Sequence, residues 1–244
     1  MTIRRVILLL ITLFAPALCL VGAAQTPPGF DTYLLGLMHR GTGEIPAGQT
    51  AESLQKAHMG NLDAMWQEGL LLASGPIGDK GELRGVLIFR GDDRAAVEKR
   101  VNDDPLIKSG RLRITLKPWM GPENIGTEYK TWAAANPGVA DKMRTFQLVL
   151  MRPAPMAAPL TQTEQLAHLK NMAAMVKAGH LVTAGPILEP GDLAGIFVFD
   201  TDAAQAAKLA AADPAVASKK MLVEQHPWMV ADLVLPKGFK VPLP

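Results

Sequence analysis

Cysteine is nearly absent from this chain: among 244 residues there is one, Cys19, inside an apolar N-terminal run. Disulfides and thiol chemistry are therefore excluded for everything beyond that run. An excess of one charge sign is lacking too. The formal balance is +2, and residues 1–24 contain Arg4 and Arg5 but no acid, so the remainder is formally neutral. No basic stripe is left for a nucleic acid or an anionic membrane. Tyrosine is rare, and Trp66, Trp119, Trp132 and Trp228 are scattered, so no base-stacking surface is indicated. His39, His58, His168, His180 and His226 include no close-spaced ligand pair, so no metal site is expected. No G-x-S-x-G element supports a serine hydrolase, and no Gly-rich loop opens a helix as a phosphate site would require. No cofactor is expected.

The first 24 residues have the form of an export signal. Arg4 and Arg5 precede an apolar stretch over 6–20, and Gly22-Ala23-Ala24 offers the small residues of a cleavage site. The alternative is an uncleaved N-terminal anchor. Leu18 before Cys19 argues against lipidation. Cleavage after Ala24 places the protein in the periplasm or outside the cell, with no membrane partner afterwards.

What the chain does contain is a repeat. Ala57, His58, Asn61, Met65, Gly69, Gly75, Pro76, Gly85 and Phe89 reappear 110 residues later as Ala167, His168, Asn171, Met175, Gly179, Gly185, Pro186, Gly195 and Phe199. After a one-residue deletion, Asp104-Pro105 matches Asp213-Pro214, and Pro118-Trp119-Met120 matches Pro227-Trp228-Met229. A period this long marks a duplicated domain.

Each half gives the same order of signals. Apolar runs at 31–40, 70–74, 83–90 and 111–117 predict strands. Helical spacing predicts helices over 50–67, opened by Thr50 and closed by Gly69, and over 92–102. The second half repeats this with strands at 145–152, 181–184, 195–199 and 220–225 and helices at 161–178 and 202–212. The order β-α-β-β-α-β is the ferredoxin-like unit. The expected organisation is a signal peptide at 1–24, domains at 30–120 and 144–235, a linker at 121–143 with a short helix near 127–135, and an irregular tail at 236–244. A four-stranded sheet with helices on one face leaves the other face apolar and in need of cover. Two copies on one chain can cover each other, so the fold class expected is α+β: tandem ferredoxin-like domains forming an intramolecular dimeric α+β barrel, monomeric overall.

The pattern His58-x-x-Asn61-Leu62, Gly69-x-Leu71-Leu72-x-x-Gly75-Pro76, Gly85 and Asp104-Pro105 resembles the YCII-related domain family. The second half carries it as His168-Leu169, Gly179 through Ala184-Gly185-Pro186, and Asp213-Pro214. The resemblance spans roughly 31–118 and 145–227. It implies the dimeric α+β barrel fold, shared with muconolactone isomerase and small monooxygenases, and a His–Asp active site: His58 with Asp104, and His168 with Asp213.

Such a pair would orient the imidazole as a general base for abstracting a proton beside a carbonyl or for dehydrohalogenation, the chemistry of a cofactor-free isomerase or lyase. Asn61 and Asn171 share the helix face of each His and would bind ligand. Arg40 and Arg152, each ending a first strand, would bind an anionic group. Each residue also has a structural reading. The His can hold helix to sheet through a hydrogen bond, Asp-Pro is the form of a helix start, and a strand-end Arg is ordinarily solvated. Gly75-Pro76 and Gly185-Pro186 are expected to shape strand exits. A non-catalytic barrel that binds a small apolar molecule, or serves structurally, is the rival function.

Overall fold

The computed structural model describes residues 26–243; the signal-peptide reading and Cys19 lie outside them. The first half runs β1 (Phe30–Arg40), α1 (Ala51–Gln67), β2 (Leu71–Pro76), β3 (Leu83–Arg90), α2 (Arg94–Val101), α3 (Pro105–Lys108) and β4 (Leu112–Pro122). A connecting helix α4 (Thr127–Ala135) follows. The second half runs β5 (Met143–Pro153), α5 (Gln162–Lys177), β6 (Leu181–Pro186), β7 (Gly195–Phe199), α6 (Ala203–Ala211), α7 (Pro214–Ala217) and β8 (Met221–Ala231).

The long helices begin where local chemistry dictates. Thr50 accepts from the Ser53 N–H while Ser53 Oγ accepts from the Thr50 N–H, and Thr161 and Glu164 make the same reciprocal box on α5. Gly69 and Gly179 follow at φ of 73° and 75°, the left-handed conformation that ends a helix at least cost when no Cβ is present.

Both sheets are antiparallel and four-stranded, in the orders β2-β3-β1-β4 and β6-β7-β5-β8. Alternation along β1 divides the core. Leu34 and Met38 face α1 and α2 with Met65 and Phe89, whereas Leu35 and Leu37 point at the other sheet and meet Leu148, Leu150 and Ile196. The two sheets thus cover each other's apolar faces.

Their edges also meet. Ile77 bridges Trp228 and Trp119 bridges Ile187, with Gly78 N–H donating to the Pro227 carbonyl and Leu188 N–H to the Pro118 carbonyl, both at 2.8 Å. Gly75-Pro76 and Gly185-Pro186 are the last two residues of β2 and β6, and the two glycines also make these seams. A Cβ on Gly75 would sit 2.0 Å from the Met229 carbonyl oxygen, and one on Gly185 1.8 Å from that of Met120. Over the same glycines lie the buried indoles of Trp228 and Trp119, whose N–H groups have no partner among the described residues.

The strands β4 and β8 extend past the 117 and 225 read from sequence, because each continues through a proline. Pro118 pairs with Leu34 and Pro227 with Gln147 without needing an N–H, since both strands lie at sheet edges. Among the described residues the tail after β8 has no regular structure, yet Val234, Leu235 and Phe239 are buried, Phe239 edge-on to Phe30.

Candidate active site

His58 projects from the buried stripe of α1, with Leu54 and Met65. Asp104 is the N-cap of α3, where Pro105 supplies a preset φ at the first helical position. The fold brings the two together: His58 Nδ1 lies 2.7 Å from Asp104 Oδ2. The same carboxylate accepts from Asn61 Nδ2 at 3.0 Å and, through Oδ1, from the Leu106 N–H at 2.9 Å. Capping and pairing are therefore one arrangement. Burial acts to raise the Asp104 pKa, but the His58, Asn61 and Leu106 bonds outweigh it and hold the carboxyl below its ordinary value. An ionised Asp104 accepts a hydrogen bond from the Nδ1–H of His58, the tautomer that leaves the lone pair on Nε2, which has no partner among the described residues.

The second half repeats the core of this arrangement. His168 Nδ1 is 2.8 Å from Asp213 Oδ1, Asn171 donates to Asp213 Oδ2 at 3.0 Å, and Asp213 caps α7 through the Ala215 N–H. The surroundings differ. In the first half Arg100 donates to Asn61 Oδ1 and pairs with Glu68. The N-caps Asp93 and Asp202 align α2 with α6, so Leu209 stands in the place of Arg100, and Ala178 stands in that of Glu68. His58 also borders a cavity of about 690 Å³, walled by Met38, Leu62, Trp66, Leu71 and Leu87 among others. Where Leu87 stands in the first half, Phe197 stands in the second, and its ring stacks on His168 at 5.7 Å and 18°.

Of the two strand-end arginines, Arg40 lies on the cavity wall with His58. Arg152 does not occupy an equivalent place. Met38 and Met151 pair with the repeat-related glycines Gly85 and Gly195, so Arg152 matches His39 rather than Arg40. Its side chain is held by Asp192 and Glu224. Asn61 and Asn171 bond the carboxylates and so position the dyads. Trp119 and Trp228 are core residues, as their apolar setting demands.

Sequence reasoning did not single out Arg84, Arg111 or Arg100. Arg84 and Arg111 line the cavity, and Arg100 supports Asn61. A signal for them existed: each is an arginine in one copy of the repeat and is replaced in the other, by Ala194, Lys220 and Leu209. Ser74, facing the same cavity, is likewise replaced by Ala184.

No curated protein matches this chain. Among solved structures, a candidate chlorite dismutase is similar over 82% of this chain and 94% of its own, at 12% identity and a TM-score of 0.50. A heme-binding protein from Thermus thermophilus covers 84% and 93% at 14% identity and 0.43. A candidate monooxygenase from Lactobacillus acidophilus covers 82% and 94% at 11% identity and 0.45. At such identities the likeness to the first concerns fold alone. Residues 35–120, the stretch that holds His58, Asp104 and most of the cavity wall, match the YCII-related domain.

Proposed function

We propose that the chain is an exported, duplicated YCII-type protein whose first half carries out cofactor-free proton transfer on a small molecule, of the isomerase or lyase type. The duplicated units are read as ferredoxin-like domains closed as an internal dimeric α+β barrel, a reading supported by the matching strand orders and the two edge seams. The observation that carries the functional reading is the His58–Asp104 contact of 2.7 Å at the wall of a cavity of about 690 Å³.

His58 Nε2 would take a proton from carbon beside a carbonyl, and Asp104 would hold the resulting imidazolium in place. Returning the proton to a different carbon completes an isomerisation; departure of an anionic group from the adjacent carbon completes an elimination.

The test is exchange of the benzylic hydrogens of phenylpyruvate for deuterium in D2O, followed by NMR. The reading expects exchange by the native protein and its loss in His58→Asn, with the melting temperature little changed. Equal exchange in His58→Asn, or an iron porphyrin retained at His58 in the protein purified from its own host, would contradict it.

A further inference from the structure

The cavity beside His58 is chemically graded from end to end. The end of β1, the start of β3 and the start of β4 lie together, since Met38 pairs with Gly85 and Arg40 with Leu112. Arg40, Arg84 and Arg111 sit at this end and all line the cavity. Arg84 occupies the bulge where the β1–β3 register shifts, which turns it out of the ladder. Among the described residues none of the three forms an ion pair with a carboxylate; Arg84 alone has a side-chain hydrogen bond, to the Asp79 carbonyl. His58 lies on α1 between this end and the opposite one. The far end holds Trp66 and Tyr129, with the acids Asp63 and Asp141; Asp141 accepts from the Tyr129 hydroxyl at 2.7 Å.

The second half is an internal control. It keeps the dyad, the cap and the asparagine, which are the parts a structural role would need. It does not keep the free cations. Register and sequence place Pro153 where Arg40 stands and Ala194 where Arg84 stands. The position of Arg111 is held by Lys220, which is neutralised by Glu164 at 2.6 Å. Guanidinium groups without a carboxylate partner among the described residues, gathered on one cavity and removed or neutralised in the copy whose His stacks on Phe197, fit recognition of an anion.

From this we infer that the first-half cavity takes a small carboxylate with an apolar or aromatic body. The carboxylate sits among Arg40, Arg84 and Arg111, the body lies toward Trp66, and the carbon between them faces His58. The second half takes no such ligand. This assignment of substrate class rests on the proton-transfer reading for its chemistry but not for its binding.

Calorimetry separates the two. The probes are phenylacetate, which cannot turn over, and its uncharged counterpart 2-phenylacetamide. Phenylacetate is expected to bind at one site per chain, with the amide at least about tenfold weaker, since a charge-assisted bond contributes on the order of 1.4 kcal/mol or more. Arg84→Met and Arg111→Met should each weaken phenylacetate by about tenfold and leave the amide unchanged. Arg40→Met, on the more exposed residue, serves as a variant least able to disturb folding and should act in the same direction. His58→Asn should still bind phenylacetate. Equal affinity for acid and amide, or arginine variants that leave phenylacetate unaffected while phenylpyruvate exchange persists, would overturn the carboxylate assignment alone. Charge-selective binding with no exchange would support the carboxylate site and sink the proton-transfer reading instead.

Discussion

Lys117 and His226 hold equivalent positions, each immediately before a Pro-Trp-Met segment, and each fastens one seam between the sheets. Lys117 Nζ lies 3.3 Å from Glu189, and His226 Nδ1 lies 2.7 Å from Asp79. Both acids come from the hairpin of the opposite half. One seam is thus tied by a permanent charge and the other by an imidazole, which also contacts Glu224 through Nε2 at 3.0 Å.

That difference makes the second seam sensitive to acid. The His226 hydrogen bond holds the Asp79 carboxyl below its ordinary pKa. Burial acts to raise Glu224, but Arg152 and His226 outweigh it and hold that carboxyl low as well. A depressed carboxylate contributes stability that is present above its unfolded pKa, about 3.9 for Asp and 4.3 for Glu, and is lost as the pH falls through the folded value. His226→Gln should therefore melt below the native protein at about pH 5–7, and the two curves should converge below about pH 4. Calorimetric melts across that range read the difference; an offset independent of pH would contradict the assignment.

The seams themselves predict a packing effect. Gly75→Ala and Gly185→Ala each drive a methyl group into a backbone carbonyl of the facing strand, so the paired edges must separate. Each should destabilise the fold by at least about 1–3 kcal/mol in urea unfolding, with the larger effect in the double variant. Gly48→Ala, where a Cβ would meet nothing but φ is +79°, is a control for strain without overlap.

Asp104 and Asp213 should be alike for stability and unlike for chemistry. Replacing either with Ala unpairs a helix-cap N–H and a His Nδ1, each loss costing about 1–3 kcal/mol. Comparable drops in unfolding free energy are expected for both variants, while only Asp104→Ala should slow phenylpyruvate exchange.

The sequence was a good guide wherever a local signal carried the geometry. Thr50 and Thr161 cap as read, the Asp-Pro pairs open short helices, and the helix spacing put His58 and His168 on inward faces. Arg40 and Arg152, both read as strand-end residues, take different settings for a physical reason. The loops after the first strands differ in length, which hides a one-residue offset, and one residue in a strand turns a side chain to the opposite face. Arg152 consequently pairs with Asp192 and Glu224 of its own half while Arg40 borders the cavity. Arg84 and Arg111 were not legible as a pair, because only the β1 register brings two distant strand starts to one end of the sheet. The glycines of Gly75-Pro76 and Gly185-Pro186 were noticed, but their purpose depends on a strand from the other half that no local pattern announces.

The most direct measurement compares His58→Asn with His168→Asn for deuterium incorporation into phenylpyruvate, each variant first shown folded by its melting curve. The account predicts that His58→Asn abolishes exchange and that His168→Asn retains nearly all of it. Equal losses in the two variants, or no loss in either, would contradict a proton-transfer site confined to the first half.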